Sequence, residues 1–186
     1  MDKTYQTEFR RKYLIEALPE PLTRASRHLQ IFDNYIASTR MRIRSVRDPE
    51  TKAWSWSLQQ RIGTTNGDLS SLKIGEIYLS EAEHAVLEIF QGTEIRKNRY
   101  FHEFDRMPFA FDVYLGGLWG LNIANVDFAD LRSMVAYEPP PFAIFEVTND
   151  PFFLGENLVE KKFEDVRAEV AQVGTTALTA TALPDE

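Results

Sequence analysis

Charged side chains recur at every second position in stretches otherwise suited to strands. Glu8, Arg10 and Lys12 alternate with Phe9, Arg11 and Tyr13, and Arg40, Arg42 and Arg44 alternate with Met41 and Ile43. Lys97 and Arg99 share the parity of one segment, and Asn125 and Asp127 that of another. An extended segment has a side-chain period of two, so each set occupies one face. This patterning predicts strands at about 5–15, 33–46, 52–62, 73–79, 94–103, 109–115 and 120–128. Ser80–Glu83 (SEAE) is a capping box that opens a helix to about Gln91, with Val86, Ile89 and Phe90 on its buried side. A short helix is expected near 129–134, a break at Glu138–Pro141, and a last helix over about 155–169 with Leu158, Phe163 and Val166 facing inward. Asp48–Glu50 and Thr64–Asp68 carry turn chemistry. Trp54, Trp56 and Trp119 are expected in the core, with a dimer contact as the alternative.

A strand with one charged and one apolar face ordinarily turns its charge to water. Here the charged faces are rich in Arg and Lys, and like charges repel across a sheet unless an anion or carboxylates lie between them. A closed antiparallel barrel with its polar face inward provides that arrangement, with helices covering the apolar faces outside. The elements give an α+β fold class, with such a barrel and an ordinary sandwich with its charge outside both open.

Composition narrows the reading. The chain has 186 residues, enough for one domain with a sizeable core, and no apolar run approaches the roughly 20 residues of a membrane-spanning helix. The opening residues lack an apolar signal core, which gives a cytoplasmic expectation and no membrane partner. There are no cysteines, and His28, His84 and His102 are scattered, so any metal would be oxygen-ligated. A net charge of −7 makes nucleic acid an unexpected partner. The small, Thr/Ala-rich end beyond Val170 is expected to form an unstructured tail over 171–186, after a domain over 1–170. Apolar strand faces left open by the helices would suit a homodimer.

Several stretches, in order, resemble the CYTH domain, or triphosphate tunnel metalloenzyme, family. Glu8–Lys12 (EFRRK) resembles the family's ExExK strand, with Arg10 at the second Glu. Phe32–Tyr35 (FDNY) through Arg40–Arg44 (RMRIR) is similar to its QxYL and RxR strands, and Arg96–Tyr100 (RKNRY) to its RKTRY strand. Phe111–Tyr114 (FDVY), Gly120–Phe128 (GLNIANVDF) and Glu146–Phe153 (EVTNDPFF) resemble its xDVF, GLxxAEVEF and EVTxDxRY elements. The resemblance covers about residues 5 to 160.

It implies an eight-stranded antiparallel tunnel that binds triphosphate on basic side chains and Mg²⁺ or Mn²⁺ on carboxylates. Carried over by position, Lys97 would be catalytic, and Lys12, Tyr35, Arg40, Arg42 and Arg99 would bind substrate. Glu8, Glu76, Asp127 and Glu146 would be the carboxylates available to a metal, and Asp112 would take the xDVF position. The chemistry agrees, because phosphoryl transfer needs positive charge around the non-bridging oxygens, and the guanidinium fork suits them. The chain departs from the family pattern at Arg10, Asn125, Asp127, Ile74 and Gln59, which removes negative charge and adds a cation. Two functions stay open. One is a metal-dependent inorganic triphosphatase acting on a triphosphate-containing molecule or polyphosphate. The other is a non-catalytic module that binds phosphorylated anions and has lost metal ligands. Adenylate cyclase activity ranks lower because no motif specifies a base or ribose, and RNA triphosphatase activity because the exterior is acidic.

Overall fold

The structure is a computed structural model that describes residues 6–62, 68–90 and 92–181, with side chains described from Thr7 to Gly174. The strands are β1 (Gln6–Leu14), β2 (His28–Tyr35), β3 (Met41–Arg47), β4 (Trp54–Ile62), β5 (Ser71–Leu79), β6 (Thr93–Phe104), β7 (Met107–Tyr114), β8 (Asn122–Phe128) and the two-residue β9 (Phe145–Glu146). Eight of them run in the order β5-β4-β3-β2-β6-β7-β8-β1, and β1 pairs again with β5 to close an antiparallel barrel. Closure leaves no long free edge.

The closing seam passes from one partner to the next along β1. Its first half, Gln6–Phe9, pairs with β5, while Tyr13 and Leu14 pair with β9. Between them the Arg10 amide donates to the Ser70 carbonyl at 2.9 Å and the Lys12 amide to Thr148 Oγ1 at 3.0 Å. The backbone groups that would be orphaned at the seam are thus satisfied.

The sequence reading joined β2 and β3 into one strand over 33–46. The structure breaks it at residues 36–40, where Ser38 takes a positive φ of 60° and the Thr39 hydroxyl donates to the Ile36 carbonyl at 2.8 Å. The hairpin turns Asp33 and Tyr35 of β2 and Arg42 and Arg44 of β3 to the same interior, which a continuous strand would have separated by parity.

Two apolar layers hold the barrel. On the outside of the β1–β8–β7–β6 wall, Tyr13, Tyr100, Phe109, Phe111, Val126 and Phe128 pack under α2 (Leu131–Val135) and Phe142. At one end of the interior, Leu14, Ile95, Tyr114 and Ile123 meet Phe153, Leu158 and Val166 from the segment that leads through α3 (Gly155–Leu158) into α4 (Phe163–Thr181). Among the described residues this second layer stoppers one end of the barrel. No described helix is long and apolar enough to cross a membrane.

Three local expectations are corrected. The capping box of Ser80 and Glu83 forms and opens α1 (Glu81–Leu87), but Val86, Ile89 and Phe90 are exposed. The helix is seated instead by His84, whose ring stacks on Trp56 and lies 3.2 Å from the Ser45 hydroxyl. Trp54 and Trp119 are also exposed, the latter covered by the Arg24 guanidinium 4.4 Å from its ring centre. Finally, the backbone assigned to a tail from residue 171 continues α4 to Thr181; residues 182–186, residues 64–67 of the turn expected at Thr64–Asp68, and Gln91 at the expected end of the first helix lie outside the described residues.

Gly120, with φ of 105°, lets the chain turn closely beneath Phe163 at the start of α4, where a Cβ would lie 2.6 Å from the ring. Both the backbone strain and the overlap oppose a side chain. Gly120→Ala is expected to destabilise the fold by about 2 kcal/mol. Urea denaturation should show a lower midpoint at unchanged m-value.

Candidate functional site

The inward positions of the eight strands place a layer of ions between the apolar stopper and the opposite mouth. Two cavities of about 300 and 70 Å³ run through it and share Arg10, Arg42, Arg44 and Arg99. The wider one opens past Glu8, Glu76, Tyr78 and Phe101, and the narrower one reaches Lys12, Tyr35, Lys97, Asp112, Asn125 and Gly155.

Two buried aspartates organise the cations. Asp33 accepts a fork from Arg44, Nε to Oδ1 at 2.6 Å and the second nitrogen to Oδ2 at 2.8 Å, and Arg42 adds a contact at 3.4 Å. Asp112 accepts a second fork from Arg99, at 2.6 and 2.7 Å, and the Lys97 ammonium at 2.9 Å. Lys97 also stands 3.9 Å from Asp33, which links the two centres. Burial alone would raise both carboxyls, yet the surrounding guanidinium and ammonium charges outweigh it and hold both well below the usual carboxylate range. Arg42 extends the network, donating to Gln59 at 2.7 Å and to the Tyr35 hydroxyl at 3.2 Å; Gln59 in turn donates to Glu76 at 2.6 Å. The Gly155 backbone passes so close to the Tyr35 hydroxyl that no Cβ would fit there.

Lys12 differs from these. Among the described residues it has no hydrogen-bonded or ion-paired carboxylate, and the charged groups that act on it most strongly are Arg10, Lys97, Arg61 and Arg42, all cations. Loss of water and then that repulsion bring its ammonium down to about 7. Lys97 is brought down to about 8, mainly by burial, with Asp112 opposing the shift. Arg61 is bound to Glu156 of α3 at the stoppered end.

Most sequence-expected residues converge, but two do not. Lys12, Tyr35, Arg42, Lys97 and Arg99 line the interior together with Glu8 and Glu76, and Asp127 is held by Arg10 at its mouth. Arg40 lies exposed in the β2–β3 turn, beside a small cavity it shares with Arg42 and Arg61, because the strand begins only at Met41. Glu146 pairs across from Tyr13, whose side chain belongs to the outer core, and is held there by Arg11 and by the Thr148 hydroxyl at 2.6 Å. Asp33, in the quoted FDNY stretch, was not assigned a role; the two turn-forming residues Ser38 and Thr39 were the available signal that the strand reverses and brings Asp33 opposite Arg44.

No family model matches the chain. An inorganic triphosphatase from Acetivibrio thermocellus is 30% identical over 106 residues, which span 56% of this chain and 66% of that protein, just under two thirds of its length. This likeness points to the CYTH, or triphosphate tunnel, family. The structure of the inorganic triphosphatase NE1496 superposes with a TM-score of 0.56 at 20% identity, covering 83% of this chain and 95% of that one. A second structure, of the hypothetical protein NE1496, gives 0.57 at 19% identity, with 83% and 99% covered. At those identities the likeness carries the fold.

The CYTH family implies a divalent cation held by tunnel carboxylates, and the described residues do not fit one. The position of the second family Glu holds Arg10, which forks onto Asp127 at 2.6 and 2.9 Å and lies 3.4 Å from Glu8. Glu76 is engaged by Gln59, Asn125 carries no charge, and Glu146 lies outside the wall. Among the described residues no three acidic or histidine side chains converge as a metal site.

Two outcomes follow for stability. Asp33→Asn leaves Arg42, Arg44 and Lys97 facing one another, and is expected to cost about 3–5 kcal/mol by chemical denaturation. The two lysines act in the opposite sense. They lose protons in the fold near 7 and 8, whereas the unfolded chain keeps them to about 10.5. Between those values the unfolded state binds more protons, so stability rises with pH. The thermal midpoint should climb from pH 7 to 9.5, and Lys12→Met should flatten that rise.

Proposed function

We propose that the chain binds an inorganic triphosphate or polyphosphate, or the triphosphate end of a small molecule, inside its barrel. The observation that carries this reading is Lys12, an interior cation facing four other cations with no described counter-charge. A polyanion entering past Glu8 and Phe101 would supply that counter-charge. Its non-bridging oxygens would be met by the remaining N–H groups of Arg42, Arg44 and Arg99 and by the ammonium groups of Lys12 and Lys97. Each arginine already bound to Asp33 or Asp112 arrives oriented, so little freedom is lost on binding. Tyr35 fixes Arg42 from the stoppered side.

Hydrolysis of a phosphoanhydride is the reaction that the triphosphatase relative makes the leading reading. In it Lys97 and Arg99 would stabilise charge developing on the transferred phosphoryl group while water attacks the terminal phosphorus. A second reading, retention of the anion without hydrolysis, is favoured by Arg10, which occupies a family carboxylate position and ties up Glu8 and Asp127.

The deciding experiment is phosphate release from tripolyphosphate in the presence of Mg²⁺ or Mn²⁺, run beside calorimetric binding measured both with the metal and in EDTA. Release that is lost in Lys97→Ala establishes a triphosphatase. Binding without release establishes a retention module, and absence of both contradicts a triphosphate tunnel. In either productive case Arg99→Ala should weaken binding about tenfold or more, equivalent to at least about 1.4 kcal/mol.

A further inference from the structure

Arg10 has a geometry that a surface strand arginine would not need. It projects into the interior between the two cavities, which both count it in their walls. Its fork closes on Asp127 directly across the β1–β8 register, and its remaining nitrogen reaches Glu8 two residues back along the same face. Arg10 is thus a fixed positive centre held by two carboxylates and open toward the lumen. Those are the properties a carboxylate-bound divalent cation would have there: positive charge anchored to the wall, with a face left over for phosphate oxygens.

The neighbouring substitutions fit the same arrangement. A cation bound to the wall needs negative charge in excess of its immediate surroundings, yet Asn125 is neutral and gives its amide to the Ala110 carbonyl at 3.1 Å and to Asp112 at 3.3 Å. Ile74 is apolar, and Gln59 bridges Arg42 to Glu76 instead of adding a charge. A free divalent cation approaching Glu8 or Asp127 would have to displace a guanidinium hydrogen-bonded to Asp127 and ion-paired with Glu8, and would meet the repulsion of Arg10 itself. A polyanion is instead attracted by Arg10 and by Arg42, Arg44 and Arg99 beyond it.

Resting on the proposed triphosphate-binding function, we infer that this tunnel takes its polyanion as the free anion, with the Arg10 guanidinium standing in for the divalent cation. Arg10 contacts the anion on its lumen side while Glu8 and Asp127 hold it from behind. The chain therefore selects metal-free tripolyphosphate or polyphosphate over the Mg²⁺ complex, and Mg²⁺ in solution competes with the protein for the anion.

Isothermal titration of tripolyphosphate into the full chain, once in EDTA and once in excess Mg²⁺, tests this. The expected result is binding in EDTA that weakens when Mg²⁺ is added. Binding seen only with Mg²⁺ overturns the inference and leaves the proposed function standing. Binding in neither condition overturns both. Arg10→Gln, checked for an intact cooperative melt, supplies the second arm. It should lose about tenfold in affinity in EDTA and regain binding with Mg²⁺, because Glu8 and Asp127 are freed. Equal losses with and without Mg²⁺ would show that Arg10 only supports the wall, and would overturn its role as the cation substitute. Should Arg10→Gln not fold, Arg10→Lys keeps the charge but cannot hold the fork to Asp127 and face the anion at once, and unchanged EDTA affinity in that variant would likewise overturn the role of the anchored guanidinium.

Discussion

Cations can be placed inside a barrel only if something answers their charge, and in this chain two aspartates answer most of it. Asp33 and Asp112 each accept a guanidinium fork, and Lys97 lies between them, so Arg42, Arg44, Lys97 and Arg99 are held in one layer at fixed orientation. The dehydration of these groups is costly, and the ion pairs offset it without making the layer a strong source of stability. Stability comes from the apolar layers on either side of it: the aromatic wall beneath α2 and Phe142, and the stopper formed by Phe153, Leu158 and Val166. The ionic layer is positioned by the fold, and its excess of positive charge is left for function.

That excess is concentrated where the carboxylates stop. Lys12 faces Arg10, Lys97, Arg61 and Arg42; each of those four has an acidic partner, whereas Lys12 has none among the described residues. The exterior of the protein is acidic in total, with a net charge of −7 over the whole sequence. A polyanion would be repelled in general by such a surface and attracted only at the lumen, which favours compact linear anions able to enter it over large ones such as folded nucleic acid. The same contrast links binding to protonation, because an anion beside Lys12 restores the environment in which an ammonium holds its proton.

The barrel and much of its lining were legible in the sequence because strand parity is a strict rule. Glu8, Arg10 and Lys12 alternate with core residues, and so do Lys97 and Arg99; once the sheet closes, the charged parity has to face inward wherever the other parity meets helices. What failed were the places where parity is reset. The turn at 36–40 flips β3 relative to β2, so a reading that runs straight through it separates Asp33 from Arg44 and leaves the organising carboxylate without a role. Arg40 shares the parity of Arg42 but precedes the strand, and Glu146 sits on a two-residue strand whose face is decided by its pairing with Tyr13. The α1 helix shows a different limit: its capping box was readable, but a seven-residue helix seated by His84 on Trp56 need not turn its apolar residues inward. Helical order beyond residue 170 was likewise hidden by a composition of small residues.

The state of Lys12 tests the central claim most directly. Its side chain can be followed by NMR across pH 5.5 to 10, with ¹³C/¹⁵N-labelled lysine and Lys12→Arg to assign the signal, in the free protein and with tripolyphosphate present. A lumen built to receive an anion at this cation predicts a midpoint near 7 in the free protein and a rise of at least one unit when tripolyphosphate is bound. A midpoint at the ordinary lysine value in both states, or a depressed one that tripolyphosphate does not move, would contradict it.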